Sequence, residues 1–153
     1  MDRIKIAKHQ LRTSNKLHPM IFVNDRSLSE FLSEIFDDEC ISGLGPALIW
    51  LWEEDEIAVT IARIKQEVVG CSTTVPLLIS GDDCDLTSIV LMVDVEITEN
   101  SVKWNRFGYD QTKSIKPNEI GTTIRWLVPK LSFEFDKKGY FKVRDELVSL
   151  ANV

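Results

Sequence analysis

The stretch Leu86–Asp110, LTSIVLMVDVEITENSVKWNRFGYD, constrains this chain more than any other. It reads as a long β-hairpin whose two arms meet at Thr98–Ser101. With Glu99-Asn100 as the turn, Ile97 falls opposite Val102, Val95 opposite Trp104, Val93 opposite Arg106 and Leu91 opposite Gly108. On the other face Glu96 meets Lys103, Asp94 meets Asn105, Met92 meets Phe107 and Val90 meets Tyr109. One face is then almost wholly apolar, and the other is polar near the turn with one complementary ion pair. A slip of one residue would exchange the faces, so the agreement supports this register. A longer loop over Thr98–Ser101 gives the same pairing. Ile89–Val93 is apolar throughout, which predicts cover on both faces, most simply with a helix on one of them.

Before the hairpin, Arg3–Lys8 and Met20–Val23 alternate weakly and predict short strands, with residues 1–25 as an N-terminal arm or edge strands. Ser27-Leu28-Ser29-Glu30 has capping-box spacing, and Leu28, Phe31, Leu32, Ile35 and Phe36 share one helical face. A helix over Leu28–Asp38 follows, ending in Asp37-Asp38-Glu39. Acids there oppose the helix dipole, which suggests that the cluster serves something else. Ala47–Trp52 and Ile57–Ile64 read as a second hairpin with Glu53-Glu54-Asp55-Glu56 at its tip. A helix over Glu54–Val69 is the competing reading, because Ile57, Ile61 and Ile64 also fit helical spacing. Val68–Thr74 and Val75–Ile79 form one interrupted strand, in which Pro76 marks an edge or a bulge.

After the hairpin, Gln111–Gly121 is a loop, Thr122–Val128 a strand, and Leu131, Phe133 and Phe135 lie on another. Asp136 caps a last helix over Lys137–Ala151, with Tyr140, Val143, Leu147 and Leu150 as its apolar stripe. The four tryptophans all fall in predicted strands and suggest an aromatic core cluster. The order predicts an α+β fold, a mostly antiparallel sheet packed by an N-terminal-half helix and a C-terminal helix, in one domain spanning residues 1–153.

Charge is distributed unevenly. The net charge is −6, but Ser27–Val102 holds sixteen acids against Arg63 and Lys65, and the two ends are basic. Phosphates would be repelled by the middle of the chain, which argues against nucleic acid and for a basic protein partner. No apolar run reaches the length of a membrane span, and the N-terminus lacks a signal-peptide core, so a cytoplasmic protein is expected. Cys40, Cys71 and Cys84 are odd in number and widely spaced, as expected of reduced thiols acting as small buried hydrophobes.

No motif for zinc, nucleotide phosphate or a serine nucleophile occurs, and no enzymatic activity or cofactor is expected. His9 and His18 have no obvious partner in the sequence. Asp82, Asp83 and Asp85 with Asp94 and Glu96 are the nearest approach to a divalent-metal set. At about 3.3 Å per residue along a strand, however, Asp85 and Asp94 stand roughly 30 Å apart and cannot share an ion.

The strand pair around VDVEITENSVKWNRFGYD, the earlier PALIWLWEE and the helix-first order resemble small acidic immunity proteins of bacterial toxin systems, particularly those of contact-dependent growth inhibition. The resemblance implies a cytoplasmic protein that binds and blocks one cognate toxin domain, often a nuclease. It carries over no functional residues. The charge pattern supplies the candidates: Asp37, Asp38 and Glu39; Glu53, Glu54, Asp55 and Glu56; and Asp82, Asp83 and Asp85. Such carboxylates can occupy a phosphate-binding surface and steer association. The alternative is an adaptor or scaffold domain that forms an oligomer or binds another basic protein.

Overall fold

The computed structural model describes residues 1–10, 16–112 and 116–152. In chain order the elements are β1 (Ile4–Gln10), β2 (Leu17–Val23), β3 (Arg26–Ser27), α1 (Leu28–Ile35), β4 (Leu44–Pro46), α2 (Ala47–Trp50), α3 (Glu54–Ile64), β5 (Ser72–Ser80), β6 (Val90–Ile97), β7 (Ser101–Asp110), β8 (Ile124–Trp126), β9 (Phe133–Asp136) and α4 (Lys137–Ser149). Short 3-10 turns lie at Glu39–Gly43 and Pro117–Glu119. The fold is α+β, and every strand pairing is antiparallel. The main sheet runs β4-β5-β6-β7-β8, with β9 also on β7, and β1-β2-β3 form a second sheet.

The β6–β7 hairpin is the centre of the main sheet. Near the turn its register is the expected one, with Ile97 opposite Val102, Glu96 opposite Lys103 and Val95 opposite Trp104. A bulge then shifts the pairing by one residue. Asp94 faces Arg106, Val93 faces Phe107, Met92 faces Gly108 and Leu91 faces Tyr109. The expected Val93–Arg106 pair is thereby corrected. The extra residue, Asn105, returns Phe107 and Tyr109 to the apolar face and turns Arg106 outward. There its guanidinium lies 3.5 Å from Asp94 and 3.8 Å from the centre of the Trp126 ring.

Both faces of β6 are covered, as the run Ile89–Val93 requires. Leu91, Val93 and Val95 join a core with Met20, Leu32, Trp104, Phe135 and Tyr140. Val90 and Met92 join a second core with Ala47, Leu51, Ile57 and Ile120. Trp104 sits edge-on to Phe107, Phe133, Phe135 and Tyr140, with centroids 4.9–6.3 Å apart. Its indole N–H donates to the Tyr140 hydroxyl at 3.3 Å, and burial pushes that phenol up to about 12. Residues 1–10 and 16–25 are no loose arm: β1 and β2 pair over Ile4–Gln10, and Met20, Ile21 and Val23 are core residues.

The second hairpin does not form. Its residues make α2 and α3 instead, so the competing helical reading is the correct one over Glu54–Ile64. Ile57, Thr60 and Ile64 share the buried face at helical spacing. Glu54, Asp55 and Glu56 occupy the first turn and Arg63 the last, the arrangement that suits the helix dipole. Arg63 also clasps the carbonyls of Thr74, Ile120 and Asn118, tying α3 to β5 and to the 3-10 turn before β8. Pro76 marks a bulge, as expected. Of the four tryptophans expected in the core, Trp104 is buried there, Trp50 is half-buried and packs against it from the end of α2, Trp126 is half-buried, and Trp52 is exposed.

At α1 the capping box is not formed. Ser27 is held in β3 against Phe22, and its hydroxyl turns to Ser29 at 3.2 Å. Glu30 instead meets His9 at 3.2 Å. The helix stops at Ile35, earlier than expected, because Asp37 takes a left-handed backbone at φ 50°, which aspartate tolerates. α4 is capped as expected, Asp136 accepting from the Gly139 amide at 2.9 Å. No helix among the described residues is long and apolar enough to cross a membrane. Residues 113–115, within the expected Gln111–Gly121 loop, lie outside the described residues.

Candidate binding cleft

The most distinctive surface feature is a cleft of about 610 Å³ where β2, the Glu39–Gly43 turn, α2, the β5–β6 connection and the C-terminal residues converge. Its wall is built around Trp50. The indole lies against Gly45 and Gly81, and a methyl group on Gly81 would stand 2.9 Å from the ring. Any larger residue at either position would push the ring out, so the two glycines create its slot. The His18 ring stands edge-on to it with centroids 5.8 Å apart. Asn152 donates to the carbonyls of Ile49 and Leu51 at 3.1 and 3.2 Å, fastening the last described residues to the same wall. Trp52, just beyond α2, is 72% exposed at the margin.

Of the three acidic clusters, one carboxylate, Asp82, lies on the lining itself, together with Cys40 and Cys84. Asp38 stands directly behind Cys40, accepting from its amide at 3.1 Å, and Glu53 follows Trp52 in the chain. Glu39 is next to Cys40, and Asp83 lies between Asp82 and Cys84. Asp37, Glu39, Glu53, Glu54, Asp55, Asp82 and Asp83 are exposed. Among the described residues the ion pairs engage Asp25, Glu30, Glu34, Glu67, Asp94 and Asp145, and none engages an acid of these three clusters. No lysine or arginine among the described residues lines the cleft.

Three expected contact residues have structural duties. Glu56 is 6% exposed and is corrected from a surface contact to an interior one: its Oε2 accepts from the Leu86 amide at 3.0 Å, fixing the β5–β6 connection to α3. Its Oε1 is buried without a hydrogen-bond partner, beside a cavity of about 20 Å³. Burial pushes its carboxyl above the ordinary value, the Leu86 amide opposes this, and Asp85, Asp55 and Glu53 add to the rise. Asp38 caps the Glu39–Gly43 turn and accepts from the Tyr109 hydroxyl at 2.7 Å. Burial, and then that bond to Asp38, drive the Tyr109 phenol well above its ordinary range. Asp85 accepts from the Thr87 amide and hydroxyl at 3.0 and 2.9 Å, closing a turn.

The cysteines are free but are not the buried hydrophobes expected. Cys40 and Cys71 are exposed and Cys84 is half-buried. Although its residue is exposed, partial desolvation of the Cys40 thiol and then the nearby Asp38 charge raise it, which disfavours a reactive thiolate. Among the described residues no three His, Cys, Asp or Glu side chains are grouped so that they could hold a metal ion.

Sequence reasoning found the acids and missed the cleft. Trp50, Trp52, Gly45, Gly81, His18 and Asn152 come from distant segments, and no spacing links them. The one local signal was the exposed Trp beside the acids in PALIWLWEE. Compared with models of known families, with curated proteins and with solved structures, the chain matches none.

Proposed function

We propose that this chain is an immunity protein that binds and neutralises a cognate bacterial toxin domain in the cytoplasm. The toxin domain is basic, and a nuclease is the class that best fits an acidic blocker. One observation carries the reading: the exposed acids of three separated segments, Asp37 and Glu39, Glu53 to Asp55, and Asp82 and Asp83, enter no ion pair among the described residues. Unpaired like charges held together repel one another, a small standing cost that a basic partner removes on binding. Exposed Trp52 adds a large apolar surface beside those charges, and tryptophan is enriched among the residues that dominate interfaces.

The adaptor reading relies on an open sheet edge through which copies could add strands. β5 is the long strand whose partner β4 covers only Leu78–Ser80. There Pro76 has no amide hydrogen to offer, and the Thr74 carbonyl already accepts from Arg63. Both features discourage strand addition. An oligomer measured by size-exclusion mass at micromolar concentration would favour the adaptor.

The test is coexpression with the product of the gene immediately upstream. The wild-type chain restores growth, and the double variant Asp55→Lys, Asp83→Lys, at two exposed positions and checked by circular dichroism to be folded, protects poorly. Absence of any toxic neighbour, or full protection by the double variant, counts against the proposal.

A further inference from the structure

The cleft does more than carry charge. Its aromatic wall is rigid, since Trp50 is wedged at Gly45 and Gly81 and braced by the His18 ring. Trp52 offers a second, largely exposed indole at the margin, and Asp82 is the acid among the described lining residues. The cleft volume of about 610 Å³ falls within the range of ligand sites and admits an arginine side chain together with part of the loop that presents it. Indole faces and a carboxylate, with no lysine or arginine among the described lining residues, select a flat cation. Its plane rests on an aromatic ring while its N–H groups reach an acid.

We infer that this cleft is the anchor pocket for an arginine presented by a loop of the basic partner, with Trp52 and Asp82 as its principal contacts. The inference rests on the reading of a basic protein partner. It adds that, within the acidic surface, one pocket anchors the complex while the surrounding charge steers encounter. Lysine fits less well, because its compact ammonium neither stacks nor forms the two-pronged bond to a carboxylate that guanidinium makes. The protein contains an internal precedent elsewhere, Arg106, which stacks on Trp126 at 3.8 Å while facing Asp94.

The probe is a blocked Gly-Arg-Gly tripeptide, compared with its lysine and citrulline counterparts. Indole N–H resonances of the whole protein serve as the readout, because citrulline keeps the shape and removes the charge. Saturable shifts of the Trp50 and Trp52 signals with the arginine peptide, about tenfold weaker binding with lysine, and none with citrulline support the inference. Loss of the Trp50 shift in Trp52→Ala and in Asp82→Asn, both at exposed positions, also supports it. Equal shifts with citrulline, or no saturable shift, overturn it.

A second arm uses the upstream gene product. Trp52→Ala should speed dissociation about thirtyfold while leaving the association rate near wild type. Dissociation unchanged by Trp52→Ala overturns the anchor pocket while leaving the immunity reading intact. A peptide that binds alongside a neighbouring protein that does not has the opposite consequence: the pocket stands and the immunity reading falls.

Discussion

Glu56 holds one of its two carboxylate oxygens inside the protein without a partner, beside Asp85, Asp55 and Glu53. Its raised value in the folded state sets the sign of a pH dependence. Between the ordinary value of 4.5 and the raised one, the folded chain binds more protons than the unfolded chain. The Glu56 contribution therefore favours folding in acid and is lost as pH rises through that window. Above the window the charged, half-satisfied carboxylate is a constant burden. Glu56→Gln keeps an acceptor for the Leu86 amide and removes the charge, so it should gain about 1 kcal/mol at neutral pH and flatten that part of the profile. Urea melts across the acid-to-neutral range check this; a Gln variant less stable than wild type at neutral pH would show that the charge itself is needed. Trp52 is the complementary case. Its exposure means that its removal changes binding and not folding, which is why it, and not Trp104, probes the cleft.

At the scale of elements, Trp50 couples α2 to the β5–β6 connection through the close approach of Gly81. Gly81→Ala puts a methyl group where the indole edge lies. It should cost about 1–3 kcal/mol through overpacking and change the tryptophan emission as the ring moves. Unchanged emission with wild-type stability in a denaturant titration would mean that the slot is not a tight fit. The same elements show what can be read from a chain. The central hairpin was legible because period-two alternation fixes which side chains share a face. Its bulge was not, since the alternation is intact on either side of Asn105 and only its phase changes there, moving Arg106 to the outer face. In α3 the spacing of Ile57, Ile61 and Ile64 admitted both helix and strand. The acids before it, taken as a hairpin tip, are instead the favourable first turn of a helix. The capping box at Ser27 misled because pairing of Ser27 with β2 took precedence over local capping. The cleft was invisible for a different reason: its residues run from His18 to Asn152 and meet only through the tertiary fold.

Across the whole molecule, the acidic middle of the chain and its basic ends are put to different uses. Arg3 and Lys5 pair with Asp25, Arg26 with Glu34, and Arg144 with Glu67 and Asp145, so several cations balance acids away from the cleft. The carboxylates of residues 37–39, 53–55 and 82–83 take part in none of these ion pairs and set a negative field over their own surface, with Asp82 on the cleft lining. Such a field acts on encounter more than on lifetime, which separates its effect from that of the Trp52 anchor. The central claim, an acidic surface free of ion pairs that draws in a basic protein, is tested most directly by stopped-flow association with the upstream gene product as salt is raised. The account predicts an association rate falling at least about tenfold between roughly 0.05 and 0.5 M salt, and a lower, flatter profile for Asp83→Lys. A rate indifferent to salt and to Asp83→Lys would contradict it.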